Sequence, residues 1–155
     1  MNLSVFQKLS ISVGILLCFF QFVSAQNDNY NNPRIERPFG TQASLQYYDE
    51  DQVFFVIKAD YMVTHYLDLE ASAGTYCYSI GPKIILNRKE SQSRFAPFVG
   101  LQFSKYNTDN QLNIPVGLSF IGKRGIYLTA GITEFLYRSE EWDAFMLDFS
   151  FGWRF

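Results

Sequence analysis

The sequence predicts an all-β chain, an eight-stranded antiparallel up-and-down transmembrane β-barrel. Three observations predict it. The segment Asp143 to Phe155 alternates without a slip: Phe145, Leu147, Phe149, Phe151, Trp153 and Phe155 on one face, Ala144, Met146, Asp148, Ser150, Gly152 and Arg154 on the other. A period of two is a strand, and an aromatic face backed by a small or charged face is the pattern of a strand between lipid and a polar lumen. The same alternation recurs from Phe39 onward. Lastly, after the N-terminal stretch the longest unbroken apolar run is Val53 to Ile57. That is far too short for a membrane helix, so a membrane crossing requires strands, and strands in lipid must close into a barrel.

The N-terminus reads as a secretory signal peptide. Lys8 is its one charge, Leu9 to Val23 is mostly apolar, and Val23-Ser24-Ala25 offers small residues for cleavage after Ala25. A retained anchor is the weaker alternative, because the apolar stretch is short. A lipoprotein reading would use Cys18, but Leu16 and Leu17 stand where small residues are needed. Cleavage leaves 130 residues (155 − 25), which make one domain. Residues 26–38, QNDNYNNPRIERP, are rich in Asn and Pro and read as a flexible periplasmic lead-in. The barrel domain is 39–155.

Eight strands follow. The first is Phe39 to Tyr48, turned by Asp49-Glu50-Asp51; the second is Gln52 to Val63; the third is Tyr66 to Ala73, broken by Gly74-Thr75. The fourth runs from Tyr76 to Asn87, and Arg88 to Ser93 is a charged turn. The fifth is Arg94 to Tyr106, closed by the turn signal Asn107-Thr108-Asp109-Asn110. The sixth is Gln111 to Ile121, the seventh Gly125 to Tyr137, and the eighth is the C-terminal strand. An even number puts both termini on one side, the periplasmic side. Phe145 to Phe155 spans ten steps of roughly 3.3 Å, and a tilt of about 40° makes that roughly 25 Å of bilayer. Pro82, Pro97, Pro115 and Glu134 interrupt the pattern. A closed barrel has no edge to receive a proline, so bulges or membrane-boundary positions are expected there.

The chain ends on Phe155, and that ending resembles the C-terminal signal strand of bacterial outer-membrane barrels. Ala59 to Gly74 (ADYMVTHYLDLEASAG) echoes Leu118 to Thr133 (LSFIGKRGIYLTAGIT), each reading strand, short turn, strand. With the FGWRF ending, Ile80-Gly81-Pro82 and Ala96-Pro97-Phe98-Val99-Gly100, the chain from Phe39 resembles the small outer-membrane β-barrel proteins of Bacteroidetes, the porin-family or outer-membrane β-barrel type. The resemblance implies an outer-membrane location and a C-terminal assembly signal at Phe149, Phe151, Trp153 and Phe155. It implies lipid and the barrel-assembly machinery as partners, and its short motifs carry no site residues. An accessory place in a larger outer-membrane complex, with other subunits of it as partners, is a further reading left open by the short loops.

The inner face holds Gln42, Ser44, Gln46, Lys58, Asp60, Asp68, Glu70, Ser72, Lys83, Gln102, Asn113, Ser119, Asp148 and Arg154. Both charge signs in a lumen this small predict a plug of paired side chains, a network of Lys58, Asp60, Asp68, Glu70, Lys83, Asp148 and Arg154. A tight turn at Thr64-His65 would set Lys58 opposite Glu70 and Asp60 opposite Asp68, with Lys83 beside Asp68. A polar conduit is the rival reading of the same residues.

Other functions find little support. After cleavage the chain carries 12 Lys+Arg and 15 Asp+Glu, net −3, with no basic footprint for nucleic acid. His65 is the sole histidine and falls in a periplasmic turn, away from the acidic rim loops Asp49-Glu50-Asp51 and Ser139-Glu140-Glu141. Cys77 has no Cys or His beside it, so neither a metal site nor an intrachain disulfide is expected, and no cofactor is implied. Two alternatives stay open beside a structural or complex-accessory outer-membrane role. One is a narrow solute pore. The other is a secreted soluble lipocalin-like barrel, which would turn the aromatic faces inward around an apolar ligand.

Overall fold

The computed structural model describes residues 33–49, 52–75, 77–87, 93–106, 109–122, 124–136 and 145–155. The signal peptide, most of the lead-in and the acidic segments 50–51 and 139–141 lie outside them. Among the described residues a helical turn, α1 (Pro33–Glu36), precedes nine strands. These are β1 (Phe39–Asp49), β2 (Gln52–Met62), β3 (Leu67–Gly74), β4 (Cys77–Ile85), β5 (Phe95–Gly100), β6 (Gln102–Tyr106), β7 (Asp109–Ile121), β8 (Ile126–Phe135) and β9 (Phe145–Arg154). Each strand pairs antiparallel with its neighbours, and β9 pairs back onto β1, so the sheet closes. β5 and β6 lie end to end between β4 and β7. The barrel therefore has eight staves, and the predicted fifth strand is one stave with a gap at Leu101.

Prolines explain that gap. A hydrogen-bonded antiparallel pair exchanges two bonds. The Leu101 amide donates to the Pro82 carbonyl at 3.0 Å, but Pro82 has no N–H to return. On the other flank Pro115 falls opposite Gly100 in the β7 register. The register is unchanged across the gap, for Lys83 faces Gly100 and Ile80 faces Phe103. Bulges expected at the prolines are thus absent, and the one shift in the described ladders lies between Tyr47 and Asp49. Pro97 sits near the foot of its stave. It accepts from the Leu86 amide at 2.8 Å, just past the end of β4, where no ladder bond need be returned.

Side chains divide cleanly between the two faces. Phe55, Ile57, Ile80, Phe103, Phe149, Phe151 and Trp153 stand on the outside and are half-exposed, while Gln42, Ser44, Lys58, Asp68, Glu70 and Asp148 are buried inside. The inverted, lipocalin-like arrangement is not the one the chain adopts. Charged residues occupy alternate positions that only the lumen can pair, and the aromatics take the side left over.

The start of β1 and the end of β9 lie at one mouth, called here the terminal mouth. Phe155 and Phe39 exchange backbone bonds at 2.8 and 3.3 Å. The turn 122–125 at this mouth needs Gly125, whose φ of 82° lies in the left-handed region. Inside, Gly117 and Gly131 face each other across β7 and β8, and the ring of Phe98, in register with Gly117 on the adjacent stave, lies over both. A Cβ at Gly117 would strike the Ala130 carbonyl oxygen and lie 2.9 Å from the Phe98 ring. Gly117→Val should therefore overpack the wall and destabilise the barrel by about 1–3 kcal/mol, read from urea unfolding in detergent micelles. An unchanged midpoint would mean that Phe98 is free to move aside.

Candidate functional site: the layered lumen

The lumen is built in layers because each inward position sits at a fixed height on its stave. At the far mouth, away from the termini, Tyr48, Val56, Cys77, Tyr106, Phe135 and Met146 form a buried apolar cluster, with Phe54 packed against it. The Tyr48–Phe135 and Tyr106–Phe135 rings meet edge to face, with centroids 5.7 and 5.9 Å apart. Such pairs add to the area that they bury. Cys77 belongs to this cluster as a free, buried thiol. Toward the terminal mouth Met62, Ile85, Ala96 and Phe98 form a second apolar cluster. Most of the charges lie between the two, with Asp68 level with Met62 and Arg34 at the terminal mouth.

Three centres organise the charged layer. Asp148 accepts from Ser44 Oγ at 2.8 Å, Ser150 Oγ at 2.9 Å and Gln46 Nε2 at 3.0 Å, and pairs with Lys58. Lys83 reaches Glu70 at 2.5 Å and Asp68 at 3.6 Å, and lies 5.1 Å from the Phe98 ring centroid. Glu70 also accepts from Gln102 Nε2 at 2.6 Å. Arg154 pairs with Asp60, reaches Asp68 at 3.3 Å and stacks 4.7 Å from the Tyr127 ring centroid. Gly40 lies in register with both Asp60 and Arg154, and a Cβ there would strike the Asp60 carboxylate. Its lack of a side chain makes room for that pair.

All seven charged residues singled out from sequence lie in this layer, but the partners differ in part. The β2–β3 register sets Asp60 opposite Glu70, Lys58 opposite Ser72 and Met62 opposite Asp68. The pairings of Lys58 with Glu70 and of Asp60 with Asp68 are therefore corrected by two residues. The turn is the cause. Thr64 Oγ1 accepts from the Leu67 amide at 3.0 Å and the Tyr66 amide at 3.4 Å, so the turn spans Val63 to Tyr66 rather than closing at Thr64-His65. Asp68 does face Lys83, in direct register. Lys58 turns to Asp148, which lies two staves away across β1.

The lead-in reading also needs a correction at its end. Pro33–Glu36 is helical, and Arg34 is only 2% exposed. Its guanidinium donates to the carbonyls of Ser93 (3.1 Å), Arg94 (3.1 Å) and Ser119 (3.3 Å), and to Ser119 Oγ (3.2 Å). Burial pushes its pKa down to about 10, still protonated near neutrality. Composition could not reveal this, because an Asn- and Pro-rich segment has no apolar periodicity. The local signal was Pro33, which suits the first position of a helix. With Arg34 the buried ionic side chains among the described residues are four cations (Arg34, Lys58, Lys83, Arg154) and four anions (Asp60, Asp68, Glu70, Asp148).

The cavity lined by Lys58, Glu70, Lys83, Phe98, Gln102, Thr133 and Asp148 holds about 10 Å³, on the order of a single water. Among the described residues no group of three or more His, Cys, Asp or Glu could hold a metal ion. His65 stays at the terminal mouth, its ring edge-on to Tyr66.

No protein-family model matches the chain, and no curated protein matches it. Solved structures do. A de novo designed transmembrane β-barrel shares 13% identity over 76% of this chain and 95% of that chain, with a TM-score of 0.57. The Yersinia pestis outer membrane protein Ail, in a phospholipid bilayer nanodisc, shares 11% over 77% of this chain and 99% of that chain, with a TM-score of 0.51. At such identities the likeness is one of fold, the closed antiparallel barrel.

Because Lys58 is buried against Asp148, Lys58→Met should strand a carboxylate and destabilise the barrel by roughly 3–5 kcal/mol. Replacing Lys58 and Asp148 together by apolar residues should cost much less. A double-mutant cycle on folding in detergent reads the coupling. Glu70 should couple more strongly to Lys83 than to Lys58, and the opposite order would refute the pairing described above.

Proposed function

We propose that the chain is a non-enzymatic outer-membrane β-barrel with a structural or complex-accessory role, its lumen plugged by its own polar side chains. The observation that carries this reading is the pairing of an apolar outer wall with a filled, charge-paired interior. A wall studded with Phe, Ile, Leu and Trp would be costly in water and is favourable in lipid. Each of the eight buried ionic side chains among the described residues is met by partners on the staves, and the cavity among Lys58, Glu70, Lys83 and Asp148, about 10 Å³, supports a plugged lumen over a solute path. The fold shared with Ail and with designed transmembrane barrels agrees with membrane insertion.

Three further expectations belong to this reading. Residues 1–25 serve as a cleaved signal peptide, both mature termini face the periplasm, and the last strand is read by the barrel-assembly machinery. Phe149, Phe151, Trp153 and Phe155 are outward and exposed, Phe155 most of all at 67%. They stand ready for recognition during assembly and for lipid afterwards. Lipid and outer-membrane complex subunits are the expected partners.

The mature protein should fractionate with outer membrane, resist carbonate extraction and shift on a gel after boiling. Recovery as a soluble periplasmic monomer would overturn membrane placement. In planar bilayers the unmodified barrel should show no steady conductance, and a stable ion current would favour a narrow pore. Phe155→Ala leaves the Arg154 pairs in place, so a fall in assembled barrel would report recognition of the ending rather than loss of the charged layer. Normal assembly of that variant would make the ending incidental.

A further inference from the structure

We propose that Pro33–Pro38 is a strap that locks the closed barrel at its terminal mouth, with the Arg34 guanidinium as the bolt. The strap is covalently continuous with β1, which starts at Phe39. Around the ring of eight staves, the β5–β6 stave is four positions from β1 in either direction. It lies diametrically opposite. Arg34 crosses that diameter and is held by the carbonyls of Ser93 and Arg94 at the foot of β5 and by Ser119 near the foot of β7.

The strap is also tied to the seam where the chain's first and last strands meet. Arg154 of β9 donates to the Arg37 and Pro38 carbonyls at 3.2 and 3.3 Å. The Met62 amide of β2 donates to the Pro38 carbonyl at 2.8 Å. A six-residue segment thus joins β1, β2, β9 and the opposite wall. The β1–β9 pairing cannot part without moving the foot of β1 away from β5, and that movement draws Arg34 out of its carbonyl cradle.

The bolt is also an electrostatic member of the lumen. Without Arg34 the buried ionic side chains would be three cations facing four anions. A surplus buried charge is strongly unfavourable, so the lumen favours the strap's return whenever the barrel is closed. The cradle carbonyls belong to the paired staves of β5 and β7, whereas the strap belongs to β1, so the bolt is seated only when β1 stands across the lumen from that pair. On this proposal it is set as the barrel closes and is withdrawn before the seam opens. This inference concerns the closed barrel itself and does not depend on its cellular location.

The consequence is kinetic. Interactions formed after the folding transition state slow unfolding and leave the folding rate unchanged. The test uses the full mature chain refolded into phosphatidylcholine vesicles. Two readouts are followed: the rate at which the compact gel band converts to the unfolded band, and thiol labelling of Ser119→Cys in a Cys77→Ser background. Arg34→Met should speed both by at least about tenfold, since several bonds to a charged group are lost, with folding unaltered. Arg34→Lys keeps the charge but loses the planar fork and should fall between the two. Unchanged unfolding and labelling in Arg34→Met would overturn the lock. So would a slower folding rate with unchanged unfolding, which would make Arg34 an assembly residue. Should Arg34→Met fail to fold, hydrogen exchange on the unmodified chain decides the matter. The Met62 and Phe155 amides should then exchange in one opening with the β1–β9 ladder. Early exchange at Met62 over a protected ladder would sink the proposal.

Discussion

Charge balance inside a closed wall is the constraint on which the rest of this structure depends. Among the described residues eight ionic side chains are buried, and the cavity beside Lys58, Glu70, Lys83 and Asp148 holds about 10 Å³. Each is tolerable only because an opposite charge or a set of dipoles meets it. Asp148 shows how completely this is done, with a lysine, an amide and two hydroxyls from β1, β2 and β9 converging on one carboxylate. Such convergence requires that the staves hold one relative height. A slip of a single residue in one stave would carry that stave's charges to the outer face. The network and the ladder register therefore enforce one another.

The same constraint accounts for features that look like defects along the ladder. Pro82 and Pro115 each withhold an N–H, and the gap in the shared stave is the result. Yet the register runs through the gap unchanged, because Lys83 and Gln102 on either side of it both hold Glu70. Side chains in the lumen thus bridge a place where the backbone cannot. Glycines act in the complementary way. Gly40 leaves room for the Asp60–Arg154 pair, and the Gly117–Gly131 pair leaves room for the Phe98 ring that lies beneath Lys83.

Much of this was legible in the sequence, and the limits were physical ones. Alternation reveals which face a residue takes, so the inward charges and outward aromatics could be read off strand by strand. It does not reveal which inward residue meets which. Partner choice depends on turn length, and the turn at Val63–Tyr66 is set by the Thr64 hydroxyl accepting two amides, a detail that shifts Lys58 from Glu70 to Ser72. Nor can alternation find partners separated by a stave, as Lys58 and Asp148 are. Arg34 escaped for another reason. It lies outside any strand, in a segment whose composition speaks for disorder, and its burial follows from the three-dimensional shape of the terminal mouth. An unpaired anion in the predicted network could have signalled it: the sequence reading held four inward carboxylates against three inward cations.

The layered lumen also bears on where activity in such a barrel can reside. Side chains that meet one another across the interior are not available to a solute, and the aromatic cluster over the charged layer at one mouth is matched by the strap at the other. On the proposed reading, what remains accessible is the outer wall and the segments that join the staves, and specificity rests on what those surfaces present. A barrel locked across its diameter suits that task, because a stave that cannot shift holds the segments at its ends in fixed relative positions.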